Sequence, residues 1–212
     1  MSEMSGFEFY ETPRTFTKYL YTFLPFIGGQ CADVCVGSGA IIDGAQGVPA
    51  SRPAQWHTND LDPRWPADHH LDASQSELYQ RLGPIHWHIG NPPFTPAIEI
   101  IEHCLDHASV GVAMHLRASI HEVLKTGARR TWMAQHPPTG ILWLPRFAYQ
   151  RSKTTGKWTT DSVCACWVIW LRDSSKGQFI RYAPEWVIDE LDAETRTYRS
   201  RMDRIMAERK VA

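Results

Sequence analysis

Apolar residues in this chain gather in short runs that follow two different periods. In "PIHWHI" (84–89), Ile85, Trp87 and Ile89 take every second position, which predicts a strand. "CADVCV" (31–36), "AQWHTND" (54–60), "VGVAMHL" (110–116), "ILWLPRFAY" (141–149) and "SVCACWVIWL" (162–171) are further runs of strand length. "TPAIEIIEHCLDHA" (95–108) instead sets Ile98, Ile101 and Leu105 at helical spacing, which predicts an amphipathic helix. Thr12-Pro13 ahead of "RTFTKYLYTFL" predicts another, with Thr12 as a hydroxyl cap and proline in the first turn. A helix is also expected after the Gly37-Ser38-Gly39 turn, interrupted by the Gly- and Pro-containing 44–53 stretch. Residues 118–140 read as a partly helical basic segment, and "QRSKTTGKWTTD" as the loop joining the last two strands. After Pro184 the chain reads as a polar helical tail docked by Trp186 and Val187, with "RTYRSRMDRIMAERK" largely solvated. Strands alternating with helices predict an α/β sheet protein: a domain over 1–183 and a tail over 184–212.

Composition narrows the class. Hydrophobic content of 43% and charged content of 21% fit an ordinary soluble globular chain. No apolar run approaches the roughly 20 residues that span a bilayer, and "MSEMSGFEFYETP" lacks the basic start and apolar stretch of a signal peptide. A cytoplasmic location is therefore expected. The five cysteines fit neither a disulfide framework nor zinc spacing and read as free thiols. The net charge of −1 is uninformative, but its distribution is not. Residues 117–157 carry eight basic side chains and one acidic, whereas 43–106 carry nine acidic and three basic. Such asymmetry suits a nucleic-acid contact surface on a neutral scaffold. Arg117, Arg129, Arg130, Arg151, Lys153 and Lys157 are the candidates to track phosphates, with Trp158 as a stacking contact.

The sharpest candidate chemistry follows the 84–89 strand, at Asn91-Pro92-Pro93-Phe94. Two prolines remove two backbone donors and hold the chain extended, so that carbonyls of the turn can accept bonds from elsewhere. Asn91 adds a side-chain acceptor and Phe94 a flat ring. Together they suit a planar group with an exocyclic amine, whose two hydrogens would go to the Asn91 oxygen and the Pro92 carbonyl. Gly37-Ser38-Gly39 lets the backbone approach a ligand at the end of the first strand. Asp60 ends the second strand, where a carboxylate can accept both hydroxyls of a ribose.

Asn91-Pro92-Pro93-Phe94 resembles the catalytic motif of the S-adenosylmethionine-dependent amino-methyltransferases, chiefly the DNA N6-adenine type. Other segments resemble that family in the same order. "FYETP" (9–13) is similar to its N-terminal motif, which implies that Tyr10, Thr12 and Pro13 touch the methionine end of the cofactor. "DVCVGSGAI" (33–41) is similar to its glycine motif, with Val34 where proline is usual, and implies roles for Asp33, Gly37, Ser38 and Gly39. "NDLDP" (59–63) and "LDAS" (71–74) resemble the acidic turns after the second and third strands. They imply that Asp60 holds the ribose and Asp72 the adenine amine, while Asn91 also faces the cofactor. "SVCACWVIW" after Asp161 resembles the late strand of small phage and prophage methyltransferases, implying a bacterial or phage-infected cell. The resemblance covers about residues 8–171. It implies a class I, Rossmann-like methyltransferase fold, a mostly parallel sheet with an antiparallel last strand and helices on both faces.

The implied reaction is direct methyl transfer to an adenine amine. Accepting both N–H bonds pulls the amine lone pair out of conjugation with the ring. A base in a duplex must flip out to reach such a site, and Phe94 would replace part of its lost stacking, about 1–3 kcal/mol. No Pro-Cys pair is present for C5-cytosine chemistry, and N4-cytosine enzymes more often carry Ser where Asn91 stands. The same motif also serves enzymes acting on RNA bases and on protein glutamine, and a non-catalytic nucleic-acid-binding relic is a further alternative. No metal is expected: His103 and His107 have the spacing of H-E-x-x-H, but Cys104 stands where the glutamate would be.

Overall fold

A computed structural model describes residues 10–48, 54–121, 128–152, 154–158, 164–173 and 177–211. The period-2 runs become strands β1 (Gly29–Asp33), β2 (Ala54–Thr58), β3 (Ile85–Gly90), β4 (Ala108–Arg117), β5 (Gly140–Trp143) and β6 (Ala165–Leu171). A short strand not anticipated from the sequence, β7 (Phe179–Tyr182), completes one sheet in the order β2-β1-β3-β4-β6-β5-β7. β2, β1, β3 and β4 are parallel. β6 enters antiparallel between β4 and β5, and β7 adds parallel to β5. The antiparallel strand is thus the expected 162–171 run, placed inside the sheet rather than at its edge. The 141–149 run leaves the ladder after Trp143, although Leu144, Phe147, Ala148 and Tyr149 stay buried.

The chain steps from β1 to β2 on one side and to β3 on the other. Sheets of this kind bind ligands in the crevice that opens at such a reversal, outside the strands' carboxyl ends. Helices α1 (Arg14–Phe23), α2 (Ala40–Gln46), α3 (Ser76–Leu82), α4 (Ala97–His107), α5 (Ala128–Gln135) and α6 (Glu185–Val211) complete the fold. β6 explains why there are two cores. Trp167 and Ile169 pack with Phe16, Leu20 and Tyr198 on one face, while Cys166 and Val168 pack with Leu78, Ile101 and Met114 on the other. The buried Trp167 indole remains satisfied because Nε1 donates to the Phe16 carbonyl at 2.8 Å.

Two expectations are corrected. The 196–210 stretch is not largely solvated: Tyr198, Met202 and Ile205 are buried and continue on α6 the stripe begun by Val187 and Leu191. Thr12 does not cap α1. Glu194 of α6 takes that role, accepting from the amides of Arg14 (3.0 Å) and Thr15 (2.9 Å) and from Thr15 Oγ1 (2.8 Å). The carboxylate also suits the positive end of the helix dipole. No described helix is long and apolar enough to cross a membrane, and the described cysteines are free thiols.

Candidate active site

The carboxyl ends of β1 and β3 open into a cleft of about 960 Å³, counted out to its mouth. Such a volume suits a small-molecule site. Gly37 and Gly39 hold φ of 51° and 77°, the left-handed region that favours glycine, and so bend the chain sharply after β1. Asp60 fixes that bend: its Oδ2 accepts from the Gly37 amide at 2.8 Å and its Oδ1 from the Asp62 amide at 2.9 Å. Asp72 faces the cleft while also accepting from the Ser74 amide (2.9 Å) and hydroxyl (2.7 Å). Val34, Val36, Leu61 and Ile100 give the cleft apolar surface between these acids.

Tyr10, Thr12, Gly37, Ser38, Asp60, Asp72 and the whole Asn91–Phe94 turn line this cleft. Pro13, Asp33 and Gly39 do not line it. Pro13 leads into α1, and Gly39 precedes α2. Asp33 lies buried beneath the site: Oδ1 accepts from the Cys35 amide at 3.1 Å, and Oδ2 has no hydrogen-bond partner. A Cβ on Gly90 would stand only 3.2 Å from Asp33 Oδ1, so glycine before Asn91 lets the strand end pass over the acid.

Both donors of the Asn91 amide are engaged. Nδ2 donates to the Tyr10 carbonyl at 2.6 Å and to Thr12 Oγ1 at 3.1 Å. This fixes the amide's orientation and leaves its oxygen as the atom able to accept from a ligand. Tyr10, Asn91 and Phe94 also line a second, smaller cavity with His115, Arg117, Tyr149, Cys164 and Ala165. Counted in the same way as the cleft, this cavity is about 330 Å³. Arg117 closes it, with its guanidinium carbon 3.9 Å from the Phe94 ring centre and 5.4 Å from that of Tyr10.

Three contributors lie outside the expected site residues, although Glu11 falls within the "FYETP" motif. Glu11 and Trp65 line the cleft, and Ser38 Oγ donates to Glu11 Oε2 at 2.6 Å. Arg201, from α6, donates through Nε to Glu11 Oε1 at 2.7 Å. The pair is separated by 190 positions, so only the fold reveals it.

Of the expected nucleic-acid contacts, Arg151 and Trp158 adjoin each other. Arg117 stands at the second cavity, and Lys157 is exposed. Arg151 instead forms a two-pronged pair with Asp203 of α6, at 2.7 and 2.8 Å. Trp158 is half-buried, with Arg151 and Arg199 5.3 and 5.5 Å from its ring centre, which makes it part of the α6 contact. Lys153 and the side chains of Arg129 and Arg130 lie outside the described residues, as do Phe9, Asp161, Ser162 and Val163 of the resembling motifs.

No metal-binding cluster occurs among the described residues, and two buried histidines bond within the fold. His88 pairs with His107 at 3.0 Å, and His115 with the Tyr149 hydroxyl at 3.1 Å. Burial lowers both His88 and His115 from 6.5 to about 3. In the unfolded chain each takes a proton near pH 6.5. Their contribution to stability is therefore complete above that pH and is lost as pH falls toward 3. Asp33 acts in the opposite sense. Burial, reinforced by the Asp60 charge, raises it to about 7 against the lowering effect of the Cys35 amide, so its ionisation penalty is relieved on acidification. Between pH 4 and 6.5 the two histidines outweigh the one acid. The urea midpoint should be lower at pH 5 than at pH 7.5, and the drop should disappear in His115→Gln, where one histidine no longer outweighs Asp33.

No protein-family model and no curated protein sequence matches the chain. Solved structures do. The type I restriction-modification system methyltransferase subunit from Streptococcus thermophilus superposes with a TM-score of 0.57 at 11% identity, over 89% of this chain and 53% of that one. A protein from Vibrio vulnificus YJ016, described as a modification subunit of a type I restriction enzyme, gives 0.58 at 11% identity, over 87% and 49%. A Lactococcus lactis protein described as a hemolysin gives 0.51 at 13% identity, over 87% and 100%. This chain therefore spans about half the length of the first two. At such identities the likeness is one of fold: the chain has the α/β, Rossmann-like fold of the class I methyltransferases.

Proposed function

We propose that this chain binds S-adenosylmethionine and transfers its methyl group to the N6 amine of adenine in DNA. The observation that carries this reading is the meeting of two cavities at one amide: Asn91, with Tyr10 and Phe94, belongs to both the cleft and the smaller cavity beside it. A donor on one side and an acceptor on the other would then share a wall at the atom able to bind the acceptor's amine.

The cleft suits the cofactor chemically. Asp60 and Asp72 supply acceptors for ribose hydroxyls and an adenine amine, Val34, Leu61 and Ile100 supply apolar surface, and the Gly37 turn permits close approach. When bound, S-adenosylmethionine supplies an electrophilic methyl on a sulfonium. The protein's part is positioning and polarisation. The Asn91 oxygen and the Pro92 carbonyl accept the two amine hydrogens and draw the nitrogen lone pair out of conjugation. Phe94 orients the ring by stacking. Alignment of this kind can account for much of the acceleration.

The basic bias of 117–157 favours a nucleic acid over a protein glutamine. Two fold neighbours described as restriction-system methyltransferase or modification subunits agree with DNA. A flipped-out base, most simply from a duplex, is the substrate form this implies. Incubation with methyl-labelled cofactor and separate DNA, RNA and protein acceptors tests the reading: label should enter DNA, and label confined to RNA or protein would refute it. Cofactor binding has its own test. For Asp60→Ala, loss of one charged hydrogen bond of about 1.5–3 kcal/mol means that calorimetry should show affinity about 10–150-fold weaker.

A further inference from the structure

We infer that Arg117 is a gate on the acceptor cavity, occupying in the free protein the aromatic face that an incoming base must take. The inference rests on the methyl-transfer reading for the identity of the base, but on geometry for the gate. The cavity measures about 330 Å³ counted out to its mouth, and the Arg117 side chain is part of its lining. One of its principal walls is the Phe94 ring, and that ring already carries the Arg117 guanidinium at 3.9 Å. A planar cation stacked on an aromatic face covers the surface that a planar base would use.

Arg117 is also held loosely enough to leave. It ends β4, so its backbone is fixed by pairing with Ala165 while its side chain projects over the cavity. Among the described residues no carboxylate forms an ion pair with it; its ring contacts are with Phe94 and Tyr10. Cation–π contacts are weak beside a full ion-pair network. The floor behind it is built: the Tyr149 hydroxyl and His115 Nε2 are mutually bonded at 3.1 Å in a buried setting. Swinging the guanidinium out would therefore open a lined slot, and the freed cation would lie at the cavity mouth, where it can meet a phosphate.

Uptake of 2-aminopurine riboside, read by quenching of its fluorescence on stacking, tests the gate with S-adenosylhomocysteine saturating the cleft. Arg117→Ala should bind the probe about tenfold more tightly than the wild type, as expected for loss of a competing cation–π contact. Phe94→Ala in the same background should abolish the gain. Equal binding by wild type and a folded Arg117→Ala protein would overturn the gate, as would a gain that survives loss of Phe94. The two readings fail separately. A gain in uptake without methyl transfer to DNA would refute the proposed reaction and leave the gate standing. Transfer to DNA without a gain would do the reverse.

Discussion

Asn91→Ala is expected to lower methyl transfer by about 100- to 1000-fold, the usual cost of deleting one preorganised polar group at a reacting centre. The variant loses the amide oxygen together with the bonds that Nδ2 donates to Tyr10 and Thr12. Alanine also frees the Tyr10–Thr12 segment from β3. Single-turnover kinetics at saturating cofactor will check the size of the loss, and calorimetry its origin. Cofactor affinity should change far less than the rate, since the cleft keeps Asp60, Asp72 and the Gly37 turn. An equal loss in both would mean that Asn91 serves mainly to shape the cleft.

Arg201→Ala is expected to destabilise the fold by about 3–5 kcal/mol, the cost of leaving a buried charge without its partner. The Glu11 side chain is 1% exposed and that of Arg201 16%, so water offers little compensation. The damage would converge on the site. The Tyr198 hydroxyl shares its one proton between the Glu11 carbonyl at 2.9 Å and the Tyr149 carbonyl at 3.2 Å, while Glu194 caps α1. α6 thus holds the 10–15 segment that carries Tyr10, Glu11 and Thr12 into the cleft. Urea unfolding will measure the loss. Arg201→Met combined with Glu11→Gln should recover much of it, because removing both charges avoids the unpaired one.

The sequence made legible those parts of the fold whose physics is local. The apolar runs of β3 and β6 survive as buried strands, and the spacing of Ile98, Ile101 and Leu105 matches α4. Asn91–Phe94 was readable because two prolines leave so few alternatives for the backbone. β7 escaped because "FIRY" lies at the sheet edge with mostly exposed side chains. The burial of α6 was visible in principle: Val187, Leu191, Tyr198, Met202 and Ile205 repeat at helical spacing, but charged neighbours mask them. Arg151 and Trp158 were read as nucleic-acid contacts because a sequence shows charge without its partner. Asp203, 52 positions away, supplies that partner. At Asp33 the sequence hides burial instead: the carboxyl lies beneath the site, with Oδ1 held by the Cys35 amide.

The central claim is that Asn91 directs a methyl group onto an adenine amine in DNA. The most direct measurement is mass analysis of the nucleosides released from unmethylated duplex DNA after incubation with S-adenosylmethionine and either the wild type or Asn91→Ala. N6-methyldeoxyadenosine from the wild type, lost or strongly reduced with the variant, is the predicted result. A different methylated base, or unmodified DNA alongside methylated RNA or protein, would contradict it.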